Sequence, residues 1–308
     1  MKTVNWMNFD EELKEKALHI EKVLKAYLPK EEGCQRTVIE AMNYSVMAGG
    51  KRLRPMLMAE TYAMFGGNNS LVEPFMAAIE MIHNYSLVHD DLPAMDNDEY
   101  RRGRKTTHVV YGEGMAVLAG DGLLNYAFET ACKAFEYAEN YEEYRKTASA
   151  LAILSKKAGI YGMIGGQCAD IEAESAEEKE SVTGELLLFI HEHKTAALIQ
   201  SSMMIGAILA GADKEQIEAL EKCAYNIGVA FQIQDDILDV TGSAEILGKP
   251  IGSDEKNNKI TYVTIYGLEK SKERVEQLSN EAIDILRSFS GRNLFLEKLV
   301  EQLIYREK

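Results

Sequence analysis

Residues 214–240 read KEQIEALEKCAYNIGVAFQIQDDILDV and combine a helical pattern with an acidic cluster. Apolar residues recur at the three- and four-residue spacing of an α-helix, and they cover more than one face of that helix. A helix with apolar residues on several faces is surrounded by other elements of the fold. This segment, together with residues 183–210, which share the pattern, is therefore predicted to form central helices.

The same helical spacing recurs along most of the chain. It predicts further helices over residues 9–28, 37–48, 71–92, 115–138, 142–159 and 270–305. Alternating β patterns between turn signals are missing, and no low-complexity linker divides the sequence. The predicted fold is therefore all-α, a single domain over residues 1–308 that forms one large bundle of roughly ten or more helices.

Composition and charge narrow the class of protein. The chain has 308 residues and a formal net charge of −15, which argues against nucleic acid or an anionic membrane as the main partner. Its four cysteines show no paired spacing, and its N-terminus lacks the pattern of a signal peptide. No uncharged apolar stretch reaches roughly 18 residues. These features predict a cytoplasmic protein without stable membrane insertion.

The aspartates are concentrated in two short clusters. The chain contains 13 aspartates against 36 glutamates, and seven of the aspartates lie in HDDLPAMDND (89–98) and QDDILD (234–239). A solvated acidic surface would be built mostly from glutamate, as in the rest of this chain. Short carboxylates beside apolar segments indicate instead a pair of sites for hard divalent cations, which prefer oxygen ligands.

The two clusters place their carboxylates differently. Asp235 and Asp239 are four residues apart and share one face of a helix. Asp90 and Asp96 are six residues apart, about 240° around an ideal helix, so they converge only if the helix ends or distorts near Pro93. For either cluster alone, a solvated helix end is the alternative interpretation.

Two basic segments accompany the acidic clusters, GGKRLRP (49–55) and RRGRK (101–105). Either one alone is also consistent with a solvated turn. Cations this close to carboxylates fit a bound polyanion, because Mg²⁺ binds through one or two carboxylates plus phosphate oxygens, and Arg and Lys take the remaining charge. The glycine pair does not match a P-loop, which disfavours nucleotide hydrolysis.

Taken in order, these motifs resemble those of the polyprenyl diphosphate synthases, and most closely the bacterial short-chain enzymes that make farnesyl diphosphate. The resemblance extends from about Gly49 to the C-terminus and includes further motifs. These are Gly165-Gly166-Gln167 with Asp170, His193-Lys194-Thr195, Phe231-Gln232, Leu247-Gly248-Lys249 and Lys259-Ile260-Thr261-Tyr262. One departure is Val263, where relatives usually have proline; we expect only a local difference in the turn.

The resemblance implies a fold of the isoprenoid-synthase type, with helices around a central cavity, and a homodimer. It also implies a head-to-tail condensation in which isopentenyl diphosphate attacks an allylic diphosphate, dimethylallyl or geranyl. Three Mg²⁺ ions would be held by the two aspartate motifs. The implied metal ligands are Asp90, Asp91, Asp96, Asp235, Asp236 and Asp239.

The resemblance further assigns the substrate-binding residues. The cations implied for the allylic diphosphate are Arg101, Lys194 and Lys259, with Lys249 nearby in the sequence. The groups implied for isopentenyl diphosphate are Lys51, Arg54, His83 and Arg102. The residues implied to offer oxygen dipoles to the carbocation are Thr195 and Gln232. The basic C-terminal residues Arg306 and Lys308 would close over the isopentenyl site or fray.

Product length follows from the residues one turn before the first motif. On a helix that ends at Asp90, the growing hydrocarbon tail would run past Ser86 and Tyr85. A tyrosine at this depth forms a floor, which favours the fifteen-carbon farnesyl product over geranylgeranyl. The small Ser86 leaves a side path open, so a geranylgeranyl synthase is the alternative.

Three other classes of protein remain as alternatives. A terpene cyclase shares the fold, but usually has an Asn/Asp, Ser/Thr and Glu triad instead of a second Asp-Asp-x-x-Asp. A catalytically silent partner subunit tends to lose an aspartate motif or the phosphate-binding cations, and this chain keeps both. A helical scaffold that binds cations without chemistry leaves the basic segments unexplained.

Overall fold

The computed structural model describes residues 6–175, 182–241 and 260–304, and it is almost entirely helical. The helices are α1 (Trp6–Tyr27), α2 (Arg36–Val46), α3 (Leu53–Met64), α4 (Glu73–Asp90), α5 (Thr107–Tyr111), α6 (Glu113–Cys132), α7 (Ala134–Tyr137), α8 (Tyr141–Ala158), α9 (Met163–Glu174), α10 (Gly184–Ile190), α11 (Ala197–Ala210), α12 (Lys214–Thr241), α13 (Tyr262–Tyr266), α14 (Leu268–Ser288) and α15 (Leu294–Ile304). The shorter elements are a 3₁₀ turn Ser70–Val72, a π-helical turn His191–Ala196, and the strands β1 (Tyr100–Arg101) and β2 (Arg104–Lys105).

The predicted all-α class is confirmed. Most predicted helices are present, with ends that shift by a few residues. Among the described residues, no helix combines the length and the apolar content needed to cross a membrane. Two prolines lie where helices start or stop, since Pro74 is in the first turn of α4 and Pro29 follows α1.

Three predicted segments are divided, and four of the described helices were not predicted. Residues 115–138 form α6 and α7, and residues 270–305 form α14 and α15, with Gly291 between the latter pair. A Cβ on Gly291 would lie 2.3 Å from the carbonyl oxygen of Met64, so the chain crosses close to that backbone. Residues 183–210 are divided by the π-helical turn. Of the unpredicted helices, α3 and α9 begin beside glycine-containing segments, and α5 and α13 have only five residues each.

The chain separates into two compact units, residues 1–59 with 68–151 and residues 60–67 with 152–308. In the first unit, α4 packs against α6, α2 and α1. In the second unit, α12 packs against α11 and α14. Residues 197–209 of α11 are all buried, which confirms a central helix there, because a helix buried on every face has neighbours all round. A single domain for the whole chain stays a prediction.

Candidate active site

The first acidic cluster begins where α4 ends, at Asp90. Beyond it the chain folds back on itself, since the Asp96 N–H donates to the carbonyl oxygen of Asp90 at 2.9 Å. Asn97 adopts a left-handed conformation with φ of 54°, which asparagine tolerates better than most residues. The expected break near Pro93 is therefore present, and it brings the backbones of Asp90 and Asp96 together.

Asp91 is buried and forms an ion pair with Arg101. The Arg101 Nε lies 2.6 Å from Asp91 Oδ1, and its Nη2 lies 3.4 Å from Asp98 Oδ2. Burial raises the pKa of the Asp91 carboxyl, and the Arg101 guanidinium only partly offsets this effect. Asp91 therefore anchors the strand that follows, whereas Asp90 is partly exposed at the helix end.

The second basic segment is folded into a small hairpin. Strands β1 and β2 pair antiparallel, with Arg101 opposite Arg104. The two turn residues, Arg102 and Gly103, have φ of 54° and 73°, as a type I′ hairpin turn requires. Arg102 sits in this strained position and donates to the carbonyl oxygen of Gly49. The hairpin thus brings the two basic segments together.

Arg54 and His83 lie in the same cationic cluster as Arg102. The Arg54 Nε is buried and has no hydrogen-bond partner in the described part of the chain. Burial lowers the pKa of Arg54 to about 10, with Glu80 opposing and Arg102 adding to the shift. Burial, followed by the charges of Arg54 and Arg102, holds the pKa of His83 well below its usual value. An anion would relieve this concentration of positive charge.

A buried ion pair supports the cluster. The Arg52 side chain is fully buried, and its Nη1 lies 2.8 Å from Glu80 Oε1. Its Nε lies 2.6 Å from Glu21 Oε1, and its Nη2 donates to the carbonyl oxygen of Val46 at 2.7 Å. Arg52 also has a left-handed backbone, with φ of 49°. These contacts fix the conformation of the chain between Lys51, which is exposed, and Arg54.

The second acidic cluster lies near the end of α12. Asp235 is exposed and Asp239 is partly exposed, as expected for residues four apart on one helical face. Asp236 is buried, and its Oδ2 accepts a hydrogen bond from the Tyr262 N–H at 2.8 Å. The three aspartates of this motif therefore do not share one environment.

The π-helical turn of the second unit carries Lys194 and Thr195. The Lys194 Nζ lies 2.5 Å from Oδ2 of the buried Asp170 on α9. The Thr195 hydroxyl donates to Gln232 Oε1 on α12 at 3.0 Å. The residues implied for the carbocation are thus adjacent to each other. π-helical turns are rare and are often found at functional sites.

Gly166 allows α9 to lie directly against the π-helical turn, because a Cβ there would be 2.1 Å from the Lys194 backbone nitrogen. Gly166→Ala is expected to lower the free energy of unfolding by about 1–3 kcal/mol, the usual effect of overpacking. Thermal unfolding measures this loss. Gly114→Ala is the control, since Gly114 is helical and a Cβ there meets nothing within 4 Å. Equal behaviour of the two variants would contradict this explanation.

The carboxylates fit a magnesium site. Among the described residues, no group of three or more His, Cys, Asp and Glu side chains has the arrangement to hold a metal by itself. Mg²⁺ is usually bound by one or two carboxylates with phosphate oxygens and water, so such a closed cluster is not required. The predicted ligands Asp90 and Asp96 belong to the first unit, and Asp235 and Asp239 belong to the second; their role stays a prediction.

Tyr85 lies one turn and one residue before Asp90 on α4. Its side chain is buried, and its hydroxyl has no hydrogen-bond partner within the described residues. Burial, with a smaller contribution from Asp90, raises its pKa to about 12. The ring packs edge-on against His89 at a centroid distance of 5.9 Å. Ser86 donates to the carbonyl oxygen of His83 at 2.9 Å.

Some predicted site residues cannot be placed. Lys249, Lys259, Arg306 and Lys308 lie outside the described residues. Their roles stay predictions.

Sequence reasoning missed several residues that support the site. The ion pair of Arg52 and Glu80 could have been suspected from the sequence, because Glu80 lies within an apolar helix and a buried glutamate rarely lacks a partner. Asp170 belonged to the quoted motifs, but its contact with Lys194 could not be derived from spacing. Nothing in the sequence indicates that Asp236 lies beside Tyr262 and His191.

Comparison with known proteins finds a matching family model and similar sequences. The family model described as "Polyprenyl synthetase" matches residues 35–293, a range that includes residues of both units. The chain is 44% identical over 302 residues to a chloroplastic geranylgeranyl pyrophosphate synthase of Capsicum annuum, covering 97% of this chain and 79% of that protein. It is 43% identical over 272 residues to farnesyl diphosphate synthase of Geobacillus stearothermophilus, covering 87% and 88%.

A solved structure is similar over almost the whole chain. It is a geranyltransferase from Helicobacter pylori complexed with magnesium and isoprenyl diphosphate, with a TM-score of 0.80 and 32% sequence identity. The similarity covers 98% of each chain.

Proposed function

The chain belongs to the polyprenyl synthetase family of prenyltransferases, and on this basis we propose that it makes farnesyl diphosphate. The substrates would be isopentenyl diphosphate and dimethylallyl or geranyl diphosphate, in the presence of Mg²⁺. The observation that carries the proposal is the cationic cluster of Arg54, His83 and Arg102. It lies in the unit whose helix α4 also presents Tyr85 and ends at Asp90.

The cationic cluster fits isopentenyl diphosphate. Arg54, whose Nε has no hydrogen-bond partner among the described residues, and Arg102, which donates to the Gly49 carbonyl oxygen, would both donate to the diphosphate oxygens. Lys51 would add a third cation. His83 is held neutral by its surroundings, so it would bind the diphosphate as a hydrogen-bond donor through one ring nitrogen.

The acidic residues and Lys194 fit the allylic diphosphate. Mg²⁺, when bound, would offset negative charge on the departing diphosphate. Asp90, Asp96, Asp235 and Asp239 would hold it, and Lys194, oriented by Asp170, would bind diphosphate oxygens.

The proposed reaction forms one carbon–carbon bond. The allylic carbon–oxygen bond breaks, and its electron pair leaves with diphosphate. The double bond of isopentenyl diphosphate then attacks the allylic cation, and a proton is lost to the departing diphosphate. The oxygen dipoles of Thr195 and Gln232 would face the cation, in surroundings that exclude water.

Product length is proposed to depend on the ring of Tyr85. Tyr85→Ala should lengthen the main product beyond fifteen carbons, because the buried ring is removed from the path of the tail. Chromatography of dephosphorylated products measures this change. Tyr85→Phe is the matched control, since it removes only a hydroxyl that has no hydrogen-bond partner among the described residues. An unchanged product from Tyr85→Ala would place the floor elsewhere.

The proposed function is tested by incubating the purified protein with both substrates, with and without Mg²⁺. Farnesol after dephosphorylation supports it. Geranylgeraniol would support the proposed reaction but contradict the role of Tyr85 as the floor. The similarity to the Capsicum annuum synthase makes geranylgeranyl diphosphate the second candidate product. No prenyl product from folded protein would favour a silent partner subunit. The homodimer and the cytoplasmic location stay predictions.

A further inference from the structure

The two adjacent aspartates of the second acidic cluster point into different surroundings. Asp235 is exposed, whereas Asp236 is 6% exposed. On a regular helix Asp235 and Asp239 are about 40° apart, while Asp236 is about 100° from Asp235 and about 60° from Asp239. Asp236 is therefore at the border of the face that Asp235 and Asp239 share, and its burial distinguishes it from them.

The buried carboxylate of Asp236 joins three elements. Its Oδ2 accepts from the Tyr262 N–H at 2.8 Å, at the first residue of α13. The same oxygen lies 3.9 Å from Nε2 of the buried His191, the first residue of the π-helical turn. The hydrogen bond links α12 to the segment that begins α13, and the second distance places Asp236 beside the turn that carries Lys194 and Thr195.

The backbone at the start of α13 needs this acceptor. The first N–H groups of a helix have no partner within the helix. The Thr261 side chain accepts from the Thr264 N–H and forms a capping box, but the Tyr262 N–H is left to Asp236. Asp236 thus completes the set of hydrogen bonds that fixes where α13 starts.

We propose that Asp236 is a positioning residue that holds the start of α13 against α12, and that it is not a ligand of Mg²⁺. This inference rests on the proposed function, because it concerns how the allylic diphosphate is bound. Tyr262 follows three residues after Lys259, one of the cations expected to bind that diphosphate. The role requires an oxygen acceptor but no negative charge.

Comparing Asp236→Asn with Asp236→Ala distinguishes the effect of the Asp236 charge from the effect of its hydrogen bond to Tyr262. Asparagine keeps an oxygen that can accept from Tyr262, and alanine does not. Asp236→Asn should stay within about threefold of the unchanged protein in kcat and in KM for geranyl diphosphate. Asp236→Ala should raise that KM about tenfold with a smaller change in kcat, since a lost hydrogen bond releases the segment. Asp235→Asn is the matched control at the neighbouring aspartate, where removing the charge should raise the Mg²⁺ concentration needed for half-maximal activity.

Hydrogen exchange of the Tyr262 amide gives a readout that does not depend on activity. In the protein without substrate, Asp236→Ala should exchange this amide about tenfold faster, and Asp236→Asn should retain its protection. Unchanged exchange in Asp236→Ala would overturn the proposal. So would an Asp236→Asn variant that is as impaired as Asp236→Ala and needs more Mg²⁺. If the unchanged protein makes no prenyl product, the proposed function fails, while the exchange measurement still tests the link to Tyr262.

Discussion

Replacing Asp90 with alanine is expected to lower kcat/KM about a thousandfold while the fold is kept, because metal-borne charge stabilisation is worth several kcal/mol. Asp90 is the last residue of α4 and is partly exposed, so its carboxylate contributes little to packing. Asp235→Ala should behave in the same way for the second cluster. Prenyl transfer at saturating Mg²⁺, with circular dichroism as a check on folding, measures the effect.

The control for this prediction is Asp284→Ala, which removes an exposed aspartate from α14. It changes the net charge by the same amount and should leave kcat/KM nearly unchanged. Near-normal rates in Asp90→Ala would contradict the assignment of Asp90 to the metal. A partial recovery at high Mg²⁺ concentration would support it, because a weakened site can still be filled.

Breaking the buried ion pair of the first unit should have the largest effect on stability. Glu80→Ala leaves the Arg52 guanidinium buried beside one remaining carboxylate, that of the partly exposed Glu21. Removing one partner of a buried pair typically costs about 3–5 kcal/mol of unfolding free energy. Urea unfolding measures this loss. The KM for isopentenyl diphosphate should also rise, since Glu80 balances the charges of Arg54 and Arg102.

The surface pair of Arg36 and Glu40 provides a matched comparison. Its atoms are 2.6 Å apart, but the Arg36 side chain is 64% exposed. Exposed ion pairs contribute little because water screens both charges. Glu40→Ala should therefore change stability far less than Glu80→Ala. If the two variants were equally destabilised, burial of the Arg52 pair would not be the cause.

The fold class could be predicted from the sequence because apolar periodicity reports directly on helices. The long helix α12 was predicted almost to its ends, since its apolar pattern continues past Gly228 and no proline interrupts it. The π-helical turn was not predicted, because its residues continue the helical pattern of α10 and α11. The hairpin of β1 and β2 was also missed, since strands of two residues are too short to show an alternating pattern.

The candidate site was predicted in part. The chain reversal between Asp90 and Asp96 followed from Pro93. The proximity of the two basic segments followed from the resemblance, which assigns Lys51, Arg54 and Arg102 to one diphosphate. The separate surroundings of Asp235 and Asp236 could not be predicted, because adjacent identical residues are distinguished only by what packs against them. The same applies to Lys194, whose partner Asp170 is 24 residues away.

The π-helical turn at His191–Ala196 also affects how the chain tolerates changes in length. A π-helical turn contains one residue more than an α-helical turn. The turn accommodates this extra residue, so α10 and α11 keep their register on either side of it. Deleting one residue here would let a regular helix run through with α10 and α11 still in register, whereas deleting one residue within α11 would rotate everything beyond it by about 100°. The turn therefore uncouples the register of Lys194 and Thr195 from that of the buried helix that follows them.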